Sequence, residues 1–536
     1  MNHDATIDPD PPRRALVVAS GFAAFNLAVK LCLLRLNFGE YTDGILQLEV
    51  FSLKPGLYPP LYGALGWLGG CAGMDAESAG KLVSILSGAL AVFPVYFMAR
   101  GLSGASAARI AALLYTISPL VMRWSGRVMS DSLFLCLSSA SLCFMLESWK
   151  ACSADDPEKR VKADWRLALA SVFGALSALT RYQGALLAPL LVVTGGVLIV
   201  RCRSLPWRAV CVSLFWAALP AWMVTQGFVH GSQFASRTTG QRLSTFLAWW
   251  NTCESFILVA PYYFTYPVAL FALFAFFRLD YGKKNVRAFL WLWGLWTGML
   301  LILQSAFGSF QYRYMMPALP AFLALAGAGC AWMEARFTSR AGRGAYVFIF
   351  RASIIYTVVF CCASLVFQRE TLRDQRQAAQ FIRDTIPMET PVFANEQYGE
   401  FTNLGCVKLS WWSGRGIQPV APWLPPSLFE PPSKFMPPGS VVVLGNMYGG
   451  DEAMDHIIAQ LQFYYHLRDL TGYSATVFPL LDDIMLWPIT NQNPLAWVLR
   501  YTPQHFATRV YSAEKPRSAE EIGRLMKRTV SKTDGH

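Results

Sequence analysis

Charge is scarce in this chain. Only 15% of its 536 residues are Asp, Glu, Lys or Arg, where soluble domains carry about a quarter. That deficit excludes a soluble multidomain enzyme, and it excludes a disordered chain, which needs high charge and low hydrophobicity. Histidine is limited to six residues, and no His-Glu-x-x-His occurs. The 12 cysteines form no Cys-x-x-Cys motif, which excludes the common zinc-binding patterns. Most of them lie inside apolar runs and behave as small hydrophobes. Only Cys71, Cys253 and Cys406 fall in segments expected outside the cell, too few for a disulfide framework. There is no P-loop and no Gly-x-Gly-x-x-Gly following a strand. The one Asp-x-Asp, Asp8 to Asp10, lies in an N-terminal stretch that reads as solvated tail. A soluble nucleotide or nucleotide-sugar site is therefore not expected.

Apolar runs dominate what remains: 54% of residues are hydrophobic and 14% aromatic. Arg13 and Arg14 precede an apolar stretch from Ala15 to Leu34 with no small-residue cleavage site after it, which reads as a retained signal anchor. A spanning helix needs about 20 apolar residues. On that criterion eleven spans are expected, at 15–36, 80–99, 103–122, 131–148, 166–181, 183–200, 209–229, 255–277, 288–308, 314–334 and 346–366. With the N-terminus inside, the cytoplasmic loops up to residue 367 hold twenty Lys and Arg against ten on the other side. This bias supports an N-in topology with the C-terminus outside. The net charge of +12 thus reads as membrane orientation, and no nucleic-acid partner is expected.

The expected fold is mainly α: a polytopic transmembrane helical bundle over 1–366, followed by a small soluble extracytoplasmic α/β domain over 367–536. The first outer loop, 37–79, is amphipathic without a full span and suits short helices lying along the interface. In the second domain, 369–386 reads as an amphipathic helix and 451–469 as another. Pro391–Ala394, Ser440–Leu444 and Ala475–Phe478 read as strands, with a Pro-rich loop over 419–438.

A ring of polar residues marks the outer ends of these spans. It comprises Glu40, Tyr41, Asp43 and Glu49; Tyr58 to Tyr62; Arg123, Arg127 and Asp131; Arg181 to Gly184; Arg237 and Arg242; and Gln311 to Tyr314. Charge at this depth is costly unless it is paired, snorkels or faces a wet cavity. Interfacial anchoring accounts for any one of these arginines, and Lys30, a turn inside the first span, is expected to snorkel. Several arginines on the outer side run against the positive-inside bias and ask for an anionic partner. Guanidinium forks match phosphate, and a carboxylate beside them can accept a proton from a hydroxyl.

Five pieces in order carry a resemblance. They are Glu40-Tyr41-Thr42-Asp43-Gly44; Tyr58-Pro59-Pro60-Leu61-Tyr62; Met129-Ser130-Asp131-Ser132-Leu133-Phe134; Leu179-Thr180-Arg181-Tyr182-Gln183-Gly184; and Tyr312-Arg313-Tyr314-Met315-Met316-Pro317. Over about residues 14–335 the chain resembles the GT-C superfamily of polyprenyl-phosphate-sugar glycosyltransferases, in particular the protein O-mannosyltransferase and lipid A aminoarabinose transferase group. It departs at Gly44, where the family often has Glu, and at Tyr58, where relatives commonly have His. The family's Arg-Pro-Glu-Gly type turn reads Arg181-Tyr182-Gln183-Gly184.

The resemblance implies an inverting transfer of a sugar from a polyprenyl-phosphate donor to an acceptor hydroxyl on the outer side of the plasma or inner membrane. The partners are the lipid-linked sugar, membrane lipids and an acceptor glycan, lipid or protein. It makes Asp43 the catalytic base; the alternative reading, compatible with it, is a cap for a helix over Gly44–Phe51. Asp131 is a second acid that positions the acceptor or Asp43, or simply an acid at a helix N-terminus. Glu40 is the next candidate base. Arg181 and Arg313 are the implied donor-phosphate ligands, Arg127 and Arg242 further ones. Tyr41, Tyr58, Tyr62, Tyr182 and Tyr312 line the cavity. A phosphodiester leaves as an anion, so one base suffices where glycosidases use two carboxylates. No nucleotide, obligatory metal or other cofactor is implied. A flippase for lipid-linked sugars and a non-catalytic membrane scaffold are the alternatives.

Overall fold

The computed structural model describes residues 12–37, 39–40, 42–49, 58–152, 156–203, 205–214, 218, 253–254, 257, 260–306, 312–395, 404–420, 423–424, 432, 434–446, 450–477 and 504–533. They divide into two compact units. One holds the described residues of 12–35 and 47–366; the other holds those of 36–46 and from 367 onward.

The first unit is helical. Its helices are α1 Pro12–Leu33, α2 Thr42–Glu49 (entering from the second unit), α3 Pro60–Cys71, α4 Ala76–Leu90, α5 Val92–Thr116, α6 Pro119–Ser125 and α7 Asp131–Ala151. Then follow α8 Pro157–Ala178, α9 Leu187–Cys202, α10 Tyr266–Arg278, α11 Lys284–Ala306, α12 Leu319–Arg336 and α13 Arg340–Gln368. Starts are marked by local chemistry. Asp75 accepts from the Ser78 amide at 3.0 Å, Asp156 accepts from the Lys159 amide at 3.1 Å, and Pro157 follows at the first helical position. Among the described residues, seven helical segments are long and apolar enough to cross a membrane. The continuous run Ala76–Thr116 covers two expected spans, and its helical dihedrals break at Ser103 and at Gly104, whose φ is 87°. Only glycine adopts that conformation cheaply, so the break falls where one span was expected to end and the next begin. The span expected at 209–229 lies mostly outside the described residues.

Small residues set the helix contacts. In α1, Ala15, Ala19, Ala23, Asn26 and Lys30 are buried, whereas Leu16, Val17, Phe25 and Leu31 are exposed. A narrow stripe of small side chains packs inward, and apolar side chains point out as lipid-facing residues do. A methyl group on Gly327 of α12 would overlap the Ala107 carbonyl of α5, and one on Gly329 would overlap the Phe271 carbonyl of α10. These backbones touch because nothing stands between them. The structure also brings Cys152 and Cys202, at the ends of α7 and α9, close together, with Cα atoms 6.0 Å apart. No such pair was anticipated, because both lie in segments expected on the cytoplasmic side.

The second unit is α/β. Helices α14 Arg373–Thr385, α15 Leu404–Ser413, α16 Gly450–Tyr464 and α17 Ala519–Thr533 pack with strands β1 Val392–Ala394, β2 Ile417–Pro419, β3 Ser440–Gly445, β4 Tyr465–Val477 and β5 Gln504–Pro516. The sheet order is β2-β1-β3-β5-β4, with β1 parallel to β2 and β3 and the remaining pairs antiparallel. The unbroken apolar runs of β1 and β3 suit central strands buried on both faces. Met454, Ile458 and Leu461, on one face of α16, join Phe393, Val442 and Leu444 in the core. The helix expected over 451–469 stops at Tyr464, because 465–469 become the first residues of β4. There Leu467 pairs with Ala513 and Asp469 with Tyr511, and ladder pairing overrides the helical pattern.

Beneath this sheet lies a buried polar pair. Thr508 of β5 donates to Asp374 of α14 at 2.6 Å, and Lys408 of α15 is fully buried. Burial raises the Asp374 carboxyl and, opposed by the Asp374 charge, lowers the Lys408 ammonium to about 7. Between that value and the ordinary 10.5, the unfolded chain binds a proton that the folded chain does not, so stability rises with pH across this window. Protection of the β5 amides against hydrogen exchange, corrected for intrinsic rate, should therefore grow between pH 7 and 9. In Lys408→Met that growth should vanish; an unchanged slope in the variant would assign it elsewhere.

Candidate functional site

The short helix α6 and the start of α7 form a corner whose chain, 126–130, has backbone groups at Met129 and Ser130 that meet side chains rather than a helical ladder. Side chains from two other helices meet some of them, and a third helix braces one of those side chains. Ser84 of α4 donates to the Met129 carbonyl at 2.9 Å. Tyr62 of α3 shares a hydrogen bond with Ser84 at 3.0 Å and donates to the Gly80 carbonyl at 2.8 Å. Gln47 of α2 accepts from the Ser130 amide at 2.8 Å. Ser132 donates to Ser125 at 3.1 Å, tying the first turn of α7 to the last residue of α6.

Around this corner cations alternate with aromatic rings. Arg181 Nη1 meets Asp131 Oδ1 at 2.7 Å, with Asp131 only 3% exposed. The guanidiniums of Arg181 and Arg313 each lie 5.1 Å from the centre of the Tyr314 ring. Arg313 also lies 5.3 Å from the Trp124 ring, which Arg123 approaches at 5.9 Å. Arg313 donates to Met129 Sδ at 3.6 Å and to the Tyr314 hydroxyl at 3.3 Å. Arg127, on the corner, and Arg313 are among the largest fully buried side chains of the protein. The short 3-10 turn Tyr312–Ala318 that carries Arg313 and Tyr314 is pinned by Trp296 of α11, whose indole N–H donates to the Pro317 carbonyl at 3.2 Å. Stacking covers the faces of a guanidinium and confines its hydrogen bonds to its own plane, and a poorly hydrated guanidinium tolerates this burial better than an ammonium does.

A narrow cleft adjoins the corner, lined by Gln47, Tyr58, Pro59, Tyr62, Gly63, Ser130 and Thr180. The Leu61 amide donates to the Leu179 carbonyl at 2.9 Å. This bond sets the Tyr58-to-Tyr62 segment against the one that carries Arg181. Asp131 Oδ2 is buried with no hydrogen-bond partner among the described residues, which leaves an acceptor beside the Arg181 pair.

Of the residues singled out in the sequence, Asp131, Arg181 and Arg313 come together here. Arg127 is buried in the same corner, and Tyr58 and Tyr62 line the adjoining pocket. Tyr182 is half-buried and opens the 3-10 turn Tyr182–Leu186 after Arg181. Asp43 lies in the first turn of α2, four residues before Gln47, and Tyr312 opens its turn; the side chains of both lie outside what is described. Tyr41 and Arg242 lie outside the described residues. Glu40, in the second unit, is buried and accepts from Asn37 at 2.8 Å. Lys30 does not snorkel: it is 2% exposed and turned inward. The sequence reading missed Trp124 and Gln47, and it placed Tyr314 in the polar ring without giving it a role. Trp124 and Tyr314 share one signal, a place directly after an arginine, in Arg123-Trp124 and Arg313-Tyr314. Among the described residues, no group of His, Cys, Asp and Glu is placed to hold a metal.

The sequence profile of the dolichyl-phosphate-mannose-protein mannosyltransferase family matches residues 58–224, which contain Tyr58, Asp131 and Arg181. No curated protein matches the sequence. Solved structures do match by shape. One is ArnT from Cupriavidus metallidurans bound to undecaprenyl phosphate, at 15% identity and a TM-score of 0.51, covering 85% of this chain and 96% of that one. Another is the archaeal oligosaccharyltransferase AglB from Archaeoglobus fulgidus, in complex with an inhibitory peptide and a dolichol-phosphate. It matches at 13% identity and a TM-score of 0.53, covering 85% of this chain and 73% of that one. The chain has the GT-C glycosyltransferase fold. Within this GT-C unit the corner is built from the N-terminal helices together with the turn before α12.

The Asp131–Arg181 pair is a stability element as well. Removing one partner of a buried pair leaves an uncompensated charge and costs about 3–5 kcal/mol, whereas replacing both with apolar residues costs far less. Arg181→Met should therefore unfold at markedly lower denaturant in detergent micelles, and Arg181→Met with Asp131→Leu should recover most of the loss. Equal losses in the single and double variants would show that the two side chains are not coupled.

Proposed function

We propose that the chain is an integral-membrane, inverting glycosyltransferase that moves a sugar from a polyprenyl-phosphate donor to an acceptor hydroxyl on the outer side of the plasma or inner membrane. The observation that carries this reading is the buried stack of guanidiniums and aromatic rings at the α6–α7 corner, with Asp131 at its edge. A phosphate on a lipid tail fits it: the in-plane guanidinium donors take the phosphate oxygens, and burial keeps water from screening the attraction. That ArnT was solved with undecaprenyl phosphate and AglB with a dolichol-phosphate and a peptide supports a lipid-phosphate donor and a separate acceptor.

The chemistry follows from the leaving group. The bond from the sugar's anomeric carbon to the phosphate oxygen breaks, and its electron pair stays on the phosphate. Arg313 and Arg181, with Arg127 and Arg242 as further ligands, stabilise that growing charge. The acceptor oxygen attacks the opposite face and inverts the centre. Asp43 takes the acceptor proton, and Asp131 Oδ2 offers a second acceptor that orients the hydroxyl. Tyr41, Tyr58, Tyr62, Tyr182 and Tyr312 shape the cavity for the sugar, and Glu40 is the reserve candidate for base. The acceptor class, whether glycan, lipid or protein, is what the first assay resolves. Purified protein given a panel of labelled polyprenyl-phosphate sugars should release polyprenyl phosphate and pass the label to an acceptor. Label that only crosses between leaflets would mean a flippase instead.

Asp43→Asn separates the base from a helix cap, since asparagine caps well but cannot take a proton. Turnover should fall by at least about a hundredfold while donor affinity stays near the wild-type value. Near-normal turnover would move the base to Glu40 or Asp131.

The same reading puts the domain after residue 367 outside the cytoplasm and the Cys152–Cys202 end of α7 and α9 inside. A reporter active only outside, fused after Gln368, should be active. Cytosolic reductants hold such a pair as free thiols, so both cysteines should take a thiol label in cells quenched by acid. A silent reporter, or an oxidised pair, would reverse the topology.

A further inference from the structure

Lys30 is a charged side chain that the mechanism above does not use. It lies in the last turn of α1, where a lysine has the reach to put its amine in the interface. Its ammonium turns inward instead, 5.8 Å from the centre of the Tyr115 ring, with no hydrogen-bond partner among the described residues. One turn back on the same face, Asn26 is fully buried with both amide atoms likewise without a partner there. An ionisable group inside a membrane unit is costly and calls for a reason.

Its surroundings supply one. A methyl group on Gly88 of α4 would run into both Lys30 Nζ and Ser125 Oγ, so glycine at this position opens the niche that holds the amine beside Ser125. Ser125 is the last residue of α6, set between Arg123 and Arg127, and it accepts from Ser132, the neighbour of Asp131. The amine therefore sits beside the last residue of α6, at the corner that carries the guanidinium stack. In so buried a place its field is screened weakly.

We propose that Lys30 is a positioning residue for the leaving group: from beside Ser125 its field favours the dianionic lipid monophosphate over the monoanionic donor diester. The inference rests on the glycosyl-transfer reading. In that reaction the bond from anomeric carbon to phosphate oxygen breaks as the bond to the acceptor oxygen forms, and the acceptor proton goes to the base. The phosphate thus gains one negative charge. A nearby cation gains about twice as much from the dianion as from the monoanion, so it lowers the barrier by more than binding of the donor alone would.

The test compares two lipids, polyprenyl phosphate and its methyl diester, by their affinity for the purified full-length protein. Lys30→Gln keeps a polar group and removes the charge, Lys30→Met removes both, and Lys30→Arg keeps the charge. Either neutral variant should weaken monophosphate binding by about tenfold and diester binding by only about threefold, the square root expected of an effect proportional to charge. Lys30→Arg should keep the wild-type ratio. Equal weakening of both lipids, or of neither, overturns the proposal, and so does a failure of both neutral variants to fold, which would make Lys30 a packing element. Wild-type protein that binds neither lipid would instead sink the transferase reading itself, a result distinct from any change between variants.

Discussion

The structure of the helical unit turns on the cost of burying guanidinium groups where water is excluded. Arg123, Arg127 and Arg313 are all less than 5% exposed, and Arg181 pairs with a carboxylate just as buried. No helical bundle keeps such charges unless their faces are covered and their edges are met. Here Trp124 and Tyr314 cover faces, Met129 and Asp131 meet edges, and the corner that carries them is pinned by Gln47, Ser84 and Tyr62. The short helices α2 and α3 therefore do more than cover the surface. They fix the backbone at Met129 and Ser130, and through it the start of α7.

This arrangement explains why small residues recur at the helix contacts. Gly88 makes room for Lys30 and Ser125, and Gly327 and Gly329 let α12 approach α5 and α10 at backbone distance. That close approach orients the turn before α12, from which Arg313 and Tyr314 reach the corner. A larger residue at these contacts would act on the site from a distance, by moving the element that carries an arginine rather than the arginine itself.

Much of this was legible in the sequence. The apolar runs gave the helices, and the glycine at 104 marks a break that run length alone had placed. The tyrosines of 58–62 and the arginines at 181 and 313 stood out because they sit at helix ends among apolar residues. What could not be read was convergence. Arg313 and Met129 are 184 positions apart, and no periodicity relates them. Lys30 was misjudged because reach and position allow snorkelling, whereas the niche that draws it inward belongs to α4 and α6. In the second unit, the first half of β5 alternates, with Phe506, Thr508 and Val510 buried, before the buried positions shift to Tyr511 and Ala513. The threonine hid the pattern, because only its hydrogen bond to Asp374 makes it an inside residue.

The central claim is that the guanidinium stack at the α6–α7 corner exists to hold a lipid-borne phosphate. The most direct measurement is a structure of the protein with polyprenyl phosphate bound. The account predicts the phosphate against the in-plane donors of Arg313, within reach of Arg181, with the Asp131 carboxylate still beside it. A phosphate seated elsewhere in the protein, with the corner unchanged, would contradict it.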